Sequence, residues 1–137
     1  MKKPVFGDTF YYLALLSASD VAHARAVAVG SQSPLAVVTS AWVIQELADG
    51  LAKPPGRAGL LRLLSALEAD PHTAIIDPSA ELWRRGIELY RSRLDKEWSL
   101  TDCVSFEIMR ELGITEALTG DHHFEQAGFI AILKTGQ

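Results

Sequence analysis

Four acidic residues, Asp8, Glu46, Asp102 and Asp121, stand out by position. Asp8 and Asp121 each follow a short apolar run, at 4–7 and 117–119, Asp102 lies near the start of a helix-period stretch, and Glu46 lies two turns into a helix that begins at a strand end. Separations of 38, 56 and 19 residues have no local meaning, so joint chemistry needs a fold that converges them. Converged carboxylates repel one another, and divalent cations remove that cost. Hard oxygen ligands suit Mg2+ or Mn2+ better than zinc. Such ions orient a water, ease its deprotonation and neutralise the leaving oxygen of a phosphodiester, so no side-chain nucleophile is needed, and none stands out. Each acid also has a reading without chemistry. Asp8 can cap a helix from Thr9, Asp102 can close a capping box with Ser99, Asp121 can cap a short helix over 122–126, and Glu46 can point to water. A cap contributes only about 1 kcal/mol and does not require four acids at one rim.

The elements that must position these residues alternate. Apolar runs at 4–7, 35–39, 73–76, 117–119 and 129–133 read as strands. Between them, 9–18, 20–30 and 41–51 read as helices, the last capped by Ser40. Leu60, Leu61, Leu63, Leu64 and Leu67 form one helical face after the Pro54-Pro55-Gly56 break. Leu82, Trp83, Ile87, Tyr90 and Leu94 form another, and a helix over 101–112 ends at Gly113. Strands alternating with helices predict an α/β fold with a parallel sheet covered on both faces. In such sheets ligands sit beyond the carboxyl ends of the strands, where Asp8, Asp102 and Asp121 fall.

Length and composition bound the rest. A chain of 137 residues with 48% hydrophobic and 22% charged residues is one ordinary globular domain, 1–137. The lone Cys103 excludes a disulfide scaffold and a cysteine-built zinc site and fits a reducing cytoplasm. No segment is apolar for long enough to cross a bilayer. The net charge of −4 argues mildly against binding nucleic acid through its backbone. Its distribution softens that: 84–96 is net +3 and 102–129 net −5, an acidic site beside a basic rim or two solvated helix faces. Phosphate-binding glycine motifs are missing, and Phe10 stands where an Asp-x-Asp phosphatase needs its second acid.

Taken together, the residues resemble the PIN-domain ribonucleases, particularly VapC-like toxins of toxin–antitoxin pairs. Four segments carry the resemblance: Phe6-Gly7-Asp8-Thr9, the 39–51 stretch with Glu46, Ser99-Leu100-Thr101-Asp102-Cys103, and Leu118-Thr119-Gly120-Asp121-His122-His123-Phe124. It spans essentially the whole chain and implies a three-layer α/β/α sandwich with a short parallel sheet of four to five strands. It implies that Asp8, Glu46, Asp102 and Asp121 ligate one or two Mg2+ or Mn2+ ions. Thr9 and Thr119 would hydrogen-bond carboxylate or phosphate oxygens, placing Thr119 with the catalytic set. The implied activity is metal-dependent cleavage of RNA by a cytoplasmic homodimer, blocked by a small antitoxin. The alternative is a PIN-like module that binds RNA or a protein without cutting. Gly7 stands where the family has an apolar strand residue, and a glycine there lets a neighbour approach the backbone.

Arg84, Arg85, Arg91, Arg93 and Lys96, with Lys53 and Arg57 beside the Pro-Pro-Gly loop, are candidates for contacting RNA phosphates. His122 and His123 read as a surface pair at a helix start, with metal binding or proton transfer as the sharper reading. Cys103 reads as a buried inert thiol, and Trp42, Trp83 and Trp98 as core or dimer contacts, with base stacking as the alternative.

Overall fold

Of the 137 residues, the computed structural model describes 3–32 and 34–134. The chain runs β1 (Val5–Gly7), α1 (Thr9–Leu16), α2 (His23–Gly30), β2 (Val37–Ser40), α3 (Ala41–Gly50), α4 (Gly56–Ala69), β3 (Thr73–Ile76), α5 (Ala80–Ser92), α6 (Leu100–Leu112), β4 (Glu116–Leu118), α7 (His122–Gln126) and β5 (Ile130–Ala131). The strands form one five-stranded sheet in the order β3-β2-β1-β4-β5, and every pairing is parallel. All of β1 and all of β2 are buried. Neighbouring strand residues point to opposite faces, so unbroken burial means that helices cover both sides, as an α/β/α sandwich requires. The core continues through the rings of Phe6, Phe124 and Phe106, with the last two edge-to-face at 4.9 Å.

Local chemistry fixes the helix starts. The Ser40 side chain accepts from Val43 N and the Ser79 side chain from Leu82 N, while Ser99 and Asp102 form a complete capping box on α6. Gly113 ends α6 with φ 68, a left-handed conformation suited to glycine. Gly7 is required for a different reason: a Cβ there would come 2.5 Å from the Tyr12 hydroxyl, whose ring is seated against the strand.

Several boundaries depart from the periodicity. The helix expected over 20–30 starts at His23, because Asp20 Oδ1 accepts from Ala22 N (2.8 Å) and holds a turn before it. The strand expected over 129–133 is reduced to Ile130–Ala131; the chain then turns, Lys134 N donating to Ala131 O (3.3 Å). The helix given Leu94 by spacing ends at Ser92, and Leu94 is exposed. Of the five leucines on α4, only Leu60 is buried.

This topology makes the site. From β1 the chain steps outward to β2 and β3, then returns past β1 to β4 and β5. The reversal leaves a crevice between the carboxyl ends of β1 and β4, where open parallel sheets bind ligands. Gly7 pairs with Leu118 at that end, so the next residues, Asp8 and Thr119, face each other across it.

Candidate active site

Asp8 occupies the N-cap position of α1 but makes no side-chain cap bond. Its Oδ2 accepts instead from the Thr119 hydroxyl at 2.8 Å, across 111 residues of sequence. The side chain is buried, and burial is the largest influence on its titration. The Thr119 hydrogen bond works in the opposite direction; the like charges of Asp102 and Glu46 add to the rise, and the carboxyl is pushed up to about 7.

The other three acids are held as firmly. Glu46 does not point to water: its Oε1 accepts from the Thr9 hydroxyl at 2.6 Å. Asp102 does cap α6, with Oδ2 accepting from Ser99 N at 3.1 Å, and also lines the cleft. Burial, its largest influence, holds its carboxyl above the usual range, and the charge of Asp121 adds to the rise. Asp121 caps α7 by accepting from His123 N at 2.9 Å, and its own N–H donates to the Thr119 hydroxyl at 3.1 Å. Thr119 therefore ties the loops after β1 and β4 together. Capping and site membership coexist at Asp102 and Asp121, whereas Asp8 is not a cap.

Asp8, Thr9, Phe10, Glu46, Glu97, Ser99, Asp102, Asp121 and His123 line a cleft of about 340 Å3. Five carboxylates face it, and none of the described residues lining it is a lysine or arginine. Uncompensated like charge at a partly buried site is costly, and the oxygen donors of these carboxylates fit a divalent cation. Glu97 and His123 were not among the expected site residues. Glu97 lies in the loop before Ser99, and no periodicity marks it. His123 is only 18% exposed, with Nδ1 3.1 Å from Asp102 Oδ2, so the surface-pair expectation fails for it and holds for His122 at 66%. The N-cap bond from Asp121 turns the start of α7 back over the cleft, placing the second helical residue inside.

None of the basic candidates lines the cleft. Arg85 joins α5 to α6 by pairing with Glu107 and Glu111. Arg84 and Arg91 are exposed and pair with Glu81 and Glu88 one turn away. Arg93 binds Asp95 through two hydrogen bonds of 3.0 Å, and its guanidinium sits 5.1 Å from the Trp98 ring centre. Lys96 lies by Asp95 and lines a small cavity with Glu97 and His123, beside the cleft. Lys53 is in the segment joining α3 to α4, and Arg57, in the first turn of α4, donates from Nε to Ala52 O in that segment at 3.2 Å. Of the tryptophans, Trp98 is core, donating to Gln126 Oε1 at 2.9 Å, whereas Trp42 and Trp83 wall a groove between the starts of α3 and α5. Cys103 is fully buried, and burial pushes its thiol up to about 11, so it is inert.

The model of the PIN domain family matches residues 5–130. Two curated relatives from Mycobacterium tuberculosis strains, each described as 23S rRNA-specific endonuclease VapC20, are 31% identical over 133 residues, covering 93% of this chain and 97% of theirs. Among solved structures, the chain is similar to Mycobacterium tuberculosis VapC20, described as a sarcin–ricin loop cleaving toxin, with a TM-score of 0.83 and 28% identity over 92% of this chain and 96% of that one. It also matches FitAcB from Neisseria gonorrhoeae, with a TM-score of 0.63 and 20% identity over 93% and 94%, a likeness of fold.

Proposed function

This chain belongs to the PIN-domain family, and from that premise we propose that it is a metal-dependent endoribonuclease, the toxin of a toxin–antitoxin pair. The observation that carries the reading is the cleft itself: five carboxylates and, among the described residues lining it, no lysine or arginine, at the switch point of a parallel sheet, with Asp8 buried among them. A module that only bound RNA would gain nothing from this repulsion.

Asp8 and Asp102 would hold the divalent ion, with Glu46 and Asp121 completing the oxygen set; we assign Mg2+ or Mn2+ to it. Bound there, it would supply the positive charge that eases deprotonation of a water and offsets charge on the departing oxygen. The chain's own residues preorganise this arrangement. The Thr119 hydroxyl fixes Asp8 Oδ2 and the Asp121 loop together, and the Thr9 hydroxyl holds Glu46 in the cleft. The capping box anchors Asp102 to a rigid helix start. Arg93 and Lys96, which line a cavity with the cleft residues Glu97 and Ser99, would meet backbone phosphates.

The substrate in this reading is a structured RNA, and the sarcin–ricin loop of 23S rRNA, which the M. tuberculosis relative cleaves, is the first to test. The protein partners are a small antitoxin and a second copy of the chain; Trp83 and Tyr90 on α5 and Leu61 on α4 are exposed apolar area that a partner would cover. No helix among the described residues is long and apolar enough to cross a membrane, and the inert lone thiol suits the cytoplasm. Mapping of RNA 5′ ends from cells expressing the wild type or Asp102→Asn tests the reading. A discrete new end in rRNA with the wild type alone supports it; no new end in any RNA overturns it.

A further inference from the structure

Two imidazoles follow Asp121 in the chain: His123 lines the cleft, His122 lines the cavity beside it, and neither is among the four carboxylate ligands. His122 and His123 open α7 directly after Asp121. Both Nδ1 atoms face one carboxylate oxygen: Asp121 Oδ1 is 3.5 Å from His122 Nδ1 and 3.4 Å from His123 Nδ1. His123 Nδ1 is also 3.1 Å from Asp102 Oδ2. One donor atom from each of Asp121, His122 and His123 lies within 4.8 Å of the other two. Metal–ligand bonds of about 2.0–2.2 Å place neighbouring donors roughly 3.0–3.5 Å apart, so the N···O distances match the edges of a coordination polyhedron.

The surroundings are polar and include the Lys96 ammonium, which lies 3.6 Å from the Asp95 carboxylate. A second cavity, of about 180 Å3, is lined by Asp95, Lys96, Glu97, His122, His123 and Gln126, all polar, and leaves room for water ligands. His123 and Glu97 line both this cavity and the cleft, so the imidazole lies on the wall between them.

We propose that Asp121, His122 and His123, with Asp102 shared from the carboxylate site, form a mixed nitrogen–oxygen site for a transition-metal ion such as Co2+, Ni2+ or Zn2+. Mg2+ keeps oxygen ligands and its own waters, whereas imidazole favours later divalent metals. The site gives the cleft a metal preference that four carboxylates alone do not confer. The inference rests on the metal-dependent reading of the cleft, because it shares Asp102 and Asp121 with it.

The test uses the full chain stripped with EDTA and titrated separately with Co2+ and Mg2+, followed by calorimetry and by visible Co2+ absorption, which reports nitrogen ligation. Wild type is expected to bind Co2+ at least tenfold more tightly than Mg2+. Losing even an outer partner of a metal site costs ten- to a hundredfold in affinity. His122→Ala and His123→Ala are therefore each expected to lose at least tenfold for Co2+, with an altered spectrum and a smaller loss for Mg2+. His122 is 66% exposed, so its variant removes a donor without removing packing. Unchanged Co2+ affinity and spectrum in both variants overturn the inference. Mg2+ binding with no preference for Co2+ overturns it too, leaving the carboxylate reading standing. Failure to bind either ion overturns both.

Discussion

Replacing Asp8 by asparagine removes a charge and little else, since the amide oxygen can still accept from the Thr119 hydroxyl. The folded protein holds this carboxyl at about 7 against an ordinary 3.8. Each unit is worth about 1.4 kcal/mol, so the ionised, metal-free site costs on the order of 4 kcal/mol at pH 8. The sign follows from proton linkage. Between pH 4 and 7 the folded state keeps a proton that the unfolded chain has lost, so stability falls as pH rises through that window and levels off above it. Asp8→Asn is therefore expected to be more stable than wild type in EDTA, by up to about 4 kcal/mol at pH 8 and about 2 kcal/mol at pH 5. At roughly 3 °C per kcal/mol, the gain at pH 8 is about 10 °C in Tm. Saturating Mn2+ should then narrow the gap at pH 8, because an ion at a hundred times its Kd adds about 2.7 kcal/mol to a protein that binds it, and the variant lacks a ligand. Urea melts of both proteins at the two pH values, with EDTA or Mn2+, read all four quantities. A variant no more stable than wild type at pH 8 in EDTA would refute the reasoning, as would an equal gain at both pH values.

Three further outcomes follow from the same geometry. Metal binding needs ionised carboxylates, so calorimetric Mn2+ affinity should fall close to tenfold per unit below pH 7; an affinity flat from pH 5.5 to 7.5 would remove Asp8 from the ligand set. Thr119→Val keeps the shape but deletes the hydroxyl shared by Asp8 and Asp121 N–H, so stability should drop by roughly 1–3 kcal/mol and Mn2+ affinity should fall; an unperturbed chemical melt would contradict this. Gly7→Ala drives a Cβ to within 2.5 Å of the Tyr12 hydroxyl and should cost about 1–3 kcal/mol in urea melts, a price that a co-substituted Tyr12→Phe partly relieves.

Much of this was legible because burial writes itself as apolar runs. The strands, the caps at Ser40 and Ser99 and the stop at Gly113 all rest on chemistry within a few residues. So does the placement of Asp8 and Asp121 at strand ends, and a parallel sheet turns that placement into convergence. What was illegible depends on long-range partners. No local rule says that Asp8 leaves its cap position for Thr119, or that Glu46 is claimed by Thr9 across 37 residues. A helix as short as α7 has too few residues for a period to reveal its face, so the sequence favoured a surface position for His123 over its place in the cleft. Arg84, Arg85 and Arg91 look like a basic rim in sequence, whereas in space each is paired with a glutamate.

The most direct measurement is single-turnover cleavage of a sarcin–ricin-loop RNA, and of a mixed RNA pool, by purified protein in Mn2+, in EDTA, and with Asp102→Asn in Mn2+. Asp102 is buried, faces the cleft and is anchored by the capping box, so its loss should cost at least a hundredfold in rate while leaving the fold intact. Cutting in Mn2+ alone, and only with Asp102 present, is the expected result. Cutting that persists in EDTA or in Asp102→Asn, or no cutting of either RNA by a protein that binds no metal, would contradict a metal-dependent nuclease at this cleft.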